Sequence, residues 1–352
     1  NCTFKSAKVD QFIGARVDIE SQLRNLDKQT SLCSDKKYKG KSKKGKNIYL
    51  SFVKKLTFMG KKFVYKEHIG KGTSAITKEK HLLENLDKIT KEELNFKLGF
   101  LKSINKELSY DGNLPEKIEE KAIKINNLKE IKKHPKSVET DFAIKFIFNS
   151  NNIEGSKIPE QAVKKIIETG NLGYKNKNEA REALNSIDAF EYLKDFNFNL
   201  ESIKRLYYIL TKKLLMDNRN PYPRGFKTVD LVVGNSPTSD PKDVKRELEE
   251  LIKWYKKNKG KVHPLILAYD FHLEYERIHP FRDANGRTGR LILNKILIQN
   301  GYPPIIVHKE NKESYFNAIA SARDGRKKKY YQFMLKQTNK SYDYLLGILD
   351  KY

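Results

Sequence analysis

Cysteine is nearly missing from this chain: only Cys2 and Cys33 occur in 352 residues. Two cysteines, both in the N-terminal stretch, build no disulfide framework, so a reducing compartment and a cytoplasmic location are expected. Long apolar runs are missing too. No stretch of about 18 uncharged apolar residues is present, which excludes a spanning helix. The segment from Asn1 to Glu20 lacks the uninterrupted apolar core of a secretory signal. The chain opens on Asn1 rather than Met, which leaves its true start open. Acidic residues are in short supply: 44 against 70 basic, a formal charge of +26.

What is present is a 38% hydrophobic, 11% aromatic composition, enough for a sizeable core in one large domain or two ordinary ones. The basic excess is mostly lysine, denser before Thr140 than after it. Lysine is a hydrated point charge, so general solvation explains most of it better than a dedicated nucleic-acid surface. Locally the run Lys36 to Lys46 holds seven lysines in eleven residues, loosened by Gly40 and Gly45. Such a run contacts phosphates or acidic protein without reading sequence, and salt weakens it.

Along the chain, residues 1–47 look irregular, with a helix expected around Val17 to Leu26. Two β-rich runs within Ile48 to Tyr65, parted at Met59-Gly60, predict a hairpin. Apolar periodicity then predicts helices over Ile76–Asn105 and Glu116–Lys133, broken by Gly-Asn-Leu-Pro at 112–115 and by His134-Pro135. From Val138 onward helices are expected throughout, with one exception. Gly225 to Pro241 contains the β-branched run Thr228-Val229-Asp230-Leu231-Val232-Val233 and then a turn. A lone hairpin in a helical domain either caps the core or offers its edge to another backbone. The resulting expectation is a mainly α protein: a basic N-terminal region over 1–130 with some strand, then a helical domain over 131–352.

The densest chemistry lies in His279-Pro280-Phe281-Arg282-Asp283-Ala284-Asn285-Gly286-Arg287-Thr288-Gly289-Arg290, between two apolar helices. Asn285 and Gly286 stand where a helix begins, so free N–H groups and the positive dipole end meet there. Gly286 lets backbone approach an anion closely. Arg287 and Arg290, three apart, share a helix face beside that spot. Asp283 is a lone carboxylate among cations and donors, suited to Mg²⁺, which takes one or two protein carboxylates plus phosphate oxygens. His279 is the one group there able to accept a proton near neutrality. Singly, each has an ordinary explanation: a helix stop, an N-cap, a solvated face. Together they are the inventory for moving a phosphorus centre onto a hydroxyl.

This constellation resembles the Fic motif, His-Pro-Phe-x-Asp/Glu-Gly/Ala-Asn-Gly-Arg-x-x-Arg, at every defined position, and the similarity extends over about residues 138–338. The resemblance implies a Fic-type helical bundle with a β-hairpin flap. It implies His279 as general base, Asp283 as Mg²⁺ ligand, and Asn285, Gly286, Arg287, Gly289 and Arg290 around the phosphates of ATP. The flap (Thr228, Val229, Asp230, Leu231, Val232) would register the target segment, with Val233 near the adenine. Tyr315, Phe316 and Ile319 fall where the next helix lines the nucleotide pocket, although helix packing explains them equally. In the related Doc proteins Lys follows the motif asparagine and a phosphoryl group is transferred. Gly286 here implies AMP transfer to a Ser, Thr or Tyr hydroxyl with release of pyrophosphate.

Upstream, Ser150-Asn151-Asn152-Ile153-Glu154-Gly155 ends an apolar helix, and by itself reads as a glycine-capped helix end with a surface acid. It also matches the inhibitory pattern Ser/Thr-x-x-x-Glu-Gly/Asn of one Fic subclass. There the Glu pairs with the second motif arginine, here Arg290. A carboxylate forked onto Arg290 would compete with the γ-phosphate. Two other readings stand beside this one: AMP removal with Glu154 aligning water, and nucleic-acid binding through the basic N-terminal region. A protein target, the chain itself as target, and a homodimer are compatible with the sequence; a membrane partner is not.

Overall fold

The computed structural model describes residues 39–44, 47–71, 78–108, 112–131, 135–216, 220–234 and 236–351. Cys2, Cys33 and the helix expected around Val17 to Leu26 lie outside them, as do the side chains of the lysine run. The chain divides into two compact units, residues 1–81 and 82–352.

In the first unit, β1 (Lys39–Lys44), β2 (Asn47–Phe58) and β3 (Lys61–Lys71) form an antiparallel sheet in that order. The expected hairpin is β2–β3, and β1 adds a third strand. Met59 and Gly60 close it with φ of 47° and 77°, the paired positive φ values of a two-residue turn that matches strand twist. Phe52, Val53 and Phe58 of β2 are buried.

The second unit is helical. The helix expected over 76–105 is two, α1 (Lys78–Glu84) and α2 (Leu86–Leu108), because the chain turns at Asn85, whose carbonyl accepts from Ile89 N. Next comes α3 (Leu114–Ile131), with Pro115 in its first turn where no N–H is needed. Helices α2 and α3, which the sequence reading places in the N-terminal region, pack with the last helix, α12 (Lys327–Lys351), inside this unit. Between them run α4 (Pro135–Ile153), α5 (Glu160–Thr169), α6 (Lys177–Tyr192), α7 (Leu200–Leu210), α8 (Val244–Asn258), α9 (Pro264–Ile278), α10 (Asn285–Gln299) and α11 (Lys312–Arg323).

The pair α9–α10 is the centre. From Asn285 to Leu297 every residue of α10 is buried, and α9 exposes almost nothing. Helix α10 packs on α9, α7 and α4, and α9 packs on α8 and α11. A loop joining two such helices cannot drift, because both its ends are fixed by core packing.

Two strand expectations need correction. The ladder predicted over Thr228–Val233 shrinks to β6 (Val232–Val233) against β7 (Ser236–Pro237), since anchors to the neighbouring loop replace strand pairing before Val232. A second short ladder that the sequence reading lacks, β4 (Leu215–Met216) with β5 (Asn220–Pro221), lies between α7 and the flap. Two-residue strands carry no readable periodicity.

Candidate active site

The motif loop is made by two left-handed residues. His279 ends α9 with φ 51° and ψ 63°, its N–H still bonded to Tyr275 O, and Ala284 starts α10 with φ 59°. A side chain in that region costs of order 1 kcal/mol or more and persists where the surroundings enforce it. The enforcement is visible. Phe281 is fully buried and stacks on Tyr207, ring centroids 4.0 Å apart and nearly parallel. Asn285 clamps the loop from inside, accepting from Phe281 N (2.9 Å) and donating to Phe281 O (2.8 Å). Its amide is thus used within the loop, and only its backbone remains for a ligand. Thr288 Oγ1 closes the turn onto Ala284 O.

Behind this loop the charges interlock. Arg290 is 2% exposed; its Nε donates to Ser150 Oγ (3.0 Å) and its Nη2 to Ser150 O (2.9 Å) and Glu154 Oε1 (2.7 Å). Helix α4 therefore delivers both Ser150 and Glu154 to the second motif arginine, and Gly155 ends that helix with φ 108°. The pair is not the fork expected from sequence: one carboxylate oxygen meets one guanidinium nitrogen, because Ser150 occupies the Nε edge. Arg290 Nη1 is buried without a partner. Burial opposes the Arg290 charge most, yet Glu154, Tyr315 and Glu276 together outweigh it and hold the guanidinium above its ordinary value.

Gly286 faces the same carboxylate. A Cβ added there would collide with Glu154 Oε1 and crowd Arg290 Nη1. The cradle at the start of α10 thus already seats one anionic oxygen, and the residues fit a phosphate at that spot.

Arg287 is nearly buried and paired with Glu182 of α6 (Nη1–Oε1 3.0 Å), with Asp283 Oδ1 3.9 Å from its Nη2. Burial raises the Glu182 carboxyl and Arg287 pulls it back down. Asp283 is about half exposed and accepts from Tyr222 O–H at 2.8 Å, which, after burial, helps push that phenol up. Glu154, Gly155, Glu182, Asp283 and Arg287 line one cleft of about 220 Å³. Among the described residues no cluster of three or more acidic, histidine or cysteine side chains is poised to hold a metal. Asp283, a half-exposed carboxylate beside the cradle, is chemically suited to Mg²⁺ carried in with a polyphosphate.

His279 has a side chain 16% exposed. Its imidazole is depressed to about 4, first by burial and then by the Lys227 ammonium, against the opposing pull of Glu154. It is therefore neutral at pH 7 and able to accept a proton. Lys227 itself falls to about 8 through burial. It ties the flap to the loop: Nζ donates to Thr238 Oγ1 (2.6 Å) and Ile278 O (3.1 Å), and its N–H to Pro280 O. Val229 and Val232 of the flap are 44% and 65% exposed, while Val233 is half-buried.

The structure thus brings Ser150, Glu154, His279, Asp283, Gly286, Arg287 and Arg290 together. Gly289 packs instead against α9, where a Cβ would meet Glu276 and Tyr275. Tyr315 and Ile319 of α11 are buried, Tyr315 with its hydroxyl 2.6 Å from His272 Nε2, and Phe316 is half-buried. Sequence reasoning missed Glu182, Tyr222, Lys227 and Glu276, which come from four other places in the chain. Only Glu276 carried any signal, its spacing of three from His279 on one helix face.

Residues 197–297 match the model of the Fic/DOC family. A protein adenylyltransferase Fic of Aedes aegypti is 26% identical over 240 residues, 66% of this chain and 47% of that one. Its counterpart from Culex quinquefasciatus is 28% identical over 220 residues, 60% of this chain and 43% of that one. The chain spans about half the length of these relatives. Among solved structures, a Fic domain containing signaling protein from Bacteroides thetaiotaomicron superposes with a TM-score of 0.59 at 22% identity, covering 67% of this chain and 98% of that one. Fic-1 of C. elegans (residues 134–508) gives 0.57 at 20% identity, covering 71% and 73%. A motif loop on a buried helical hairpin and a short flap accompany these matches: residues 197–297 resemble the Fic/DOC family, and the fold is that of Fic-domain structures.

Proposed function

We propose that this protein transfers AMP from ATP to a hydroxyl side chain of a protein, and that Glu154 holds it in check. The observation that carries this is the single carboxylate oxygen of Glu154 resting on both Arg290 and the Gly286 cradle, beside a neutral His279. In our reading a triphosphate takes that oxygen's place. The N-terminus of α10 and Arg287 receive the α- and β-phosphates, Arg290 the γ-phosphate, and His279 accepts the proton of the attacking hydroxyl. Asp283 would hold Mg²⁺, which when bound spreads the negative charge of the phosphates. The exposed valines of the flap offer the target segment an apolar edge.

With Glu154 in place, ATP is refused or turned away from in-line geometry, and an ångström of misplacement costs about 10²-fold. Keeping 99% of molecules closed needs only about 2.7 kcal/mol between the two states. One buried Arg290 with its Glu154 and Ser150 contacts is of the right size. The mosquito relatives are named protein adenylyltransferases, which supports the chemistry. No described helix is long and apolar enough to cross a membrane, and we place the reaction in the cytoplasm.

The test is label transfer to protein from ATP tagged at the α- or the γ-phosphate, comparing wild type, Glu154→Gly and Glu154→Gly/His279→Ala. We expect label from the α-position alone, rising about 10²-fold in Glu154→Gly and lost with His279 while nucleotide still binds. Label from the γ-position would mean a reversed nucleotide and sink AMP transfer. Label from neither would favour AMP removal from a modified protein.

A further inference from the structure

Glu276 of α9 is 6% exposed and sits directly behind the motif loop. Its Oε2 lies 3.8 Å from His279 Nδ1. Its Oε1 has no hydrogen-bond partner, and neither has His279 Nδ1. A buried carboxylate without a partner is expensive, and an apolar side chain at this position of a core helix would be cheaper. Gly289 keeps the space beside it clear, since a Cβ there would come within 2.9 Å of Glu276 Oε1. Two buried groups with unsatisfied atoms, 3.8 Å apart at their nearest and three residues apart in sequence, are complementary.

We infer that Glu276 is a positioning residue for His279, holding the proton on Nδ1 so that Nε2 faces the target hydroxyl. The inference rests on the AMP-transfer reading. In that step the hydroxyl oxygen bonds to the α-phosphorus and the bond to pyrophosphate breaks, its electron pair leaving with the pyrophosphate. The hydroxyl proton goes to Nε2, and the imidazolium so formed keeps its Nδ1–H, which donates a hydrogen bond to the Glu276 carboxylate. An orienting carboxylate on the far nitrogen of a catalytic imidazole fixes the tautomer and stabilises its charged form.

The groups around the pair come from every neighbouring element. On α9 itself, His272 Nε2 stands 4.0 Å from Glu276 Oε1. Arg290 of α10 and Arg323 of α11 draw the Glu276 carboxyl down, while Glu154 of α4 raises it. Tyr275 and Tyr315 are buried neutral phenols, and Lys227 bears on His279 from the flap side. Burial is the largest influence and sets Glu276 at about 7. Removing Glu154 removes one upward influence, so the activated enzyme carries Glu276 more readily as the anion. The rival partner for His279 is the backbone carbonyl of Glu276, which already accepts from Arg323 Nη2. A Gln at 276 keeps that carbonyl and removes only the carboxylate.

The experiment measures transfer against pH for Glu154→Gly and Glu154→Gly/Glu276→Gln, together with the imidazole nitrogen resonances of His279 in the wild-type protein. We expect Glu276→Gln to lower kcat about 10–100-fold with KM for ATP within about twofold. The acid limb of its profile moves to lower pH, because an imidazole without the anion beside it is harder to protonate. In wild type, the His279 resonances show an inflection from Glu276 ionisation, separate from that of the ring's own protonation. Equal kcat and an unmoved acid limb in the double variant overturn the inference, as does a wild-type titration with one inflection only. If Glu154→Gly itself transfers no AMP, the reading of function fails, and the wild-type titration still decides the pair.

Discussion

Gly286 carries more of this site than its size implies. Its missing side chain leaves room for Glu154 Oε1, and under the proposed function the same space would admit a phosphate to the first N–H groups of α10. A methyl there excludes both occupants. We therefore expect Glu154→Gly/Gly286→Ala to bind ATP at least about tenfold more weakly than Glu154→Gly, about 1.4 kcal/mol, as read by calorimetry. Equal affinity would place the phosphates elsewhere. Arg290 is fixed differently: Ser150 contributes both its hydroxyl and its backbone carbonyl, so the guanidinium stays in position when Glu154 leaves. At this scale the sequence was highly legible. Twelve consecutive residues hold most of the clustered side chains, and the Glu154–Arg290 contact was foreseen. Its one-oxygen geometry was not, because the Ser150 contribution depends on how α4 lies across α10.

Among elements, the flap depends on one side chain. Lys227 joins Thr238 on the far side of the hairpin to the end of α9, while Arg277 binds Glu247 (3.0 Å) and Ser239 (3.1 Å) at its base. A pairing of two residues on two is too short to stand alone. Lys227→Met removes two charge-assisted bonds from a buried position, at about 1.5–3 kcal/mol. We expect a lower midpoint in chemical denaturation and a KM for the protein target raised severalfold, with KM for ATP little changed. A flap indifferent to this substitution would mean that Arg277 alone holds it. The hairpin was visible in the sequence because β-branched residues precede a glycine turn. Its anchoring was not, since a lysine in a lysine-rich chain stands out in no way. The same holds for β4–β5, too short to leave a pattern.

On the scale of the whole second unit, a buried ionic network joins α2 and α3 to the start of α9. Lys97 meets Glu119 at 2.9 Å and Glu93 at 3.1 Å, while Tyr302 O–H donates to Glu119 (2.6 Å) beside His263, the cap of α9. Burial pushes the Glu119 carboxyl up, but Lys97 and His263 outweigh it and hold it at about 2. Its contribution to stability is thus complete above the ordinary carboxylate range and is lost as pH falls toward 2. Lys97→Met takes the shared ammonium away from two buried carboxylates, a loss of about 3–5 kcal/mol at pH 7. Because protonation relieves those carboxylates, the loss should shrink between pH 7 and 5 in denaturant titrations. A loss independent of pH would assign it to packing alone.

The sequence by itself determined the helical class, the strand-rich stretch near residues 48–65, the motif loop and the helix end whose Glu154 meets Arg290. Each rests on local information: period, turn residues, or a fixed spacing of chemical groups along one segment. Tertiary structure alone decided that Glu182 meets Arg287, that Tyr222 reaches Asp283, and that α2 and α3 pack with α12. It also placed a buried Glu276 3.8 Å from His279, where a common residue type gains an uncommon environment. Such pairings join distant segments through core packing, and a charged residue's burial is set by what covers it, which no local pattern encodes.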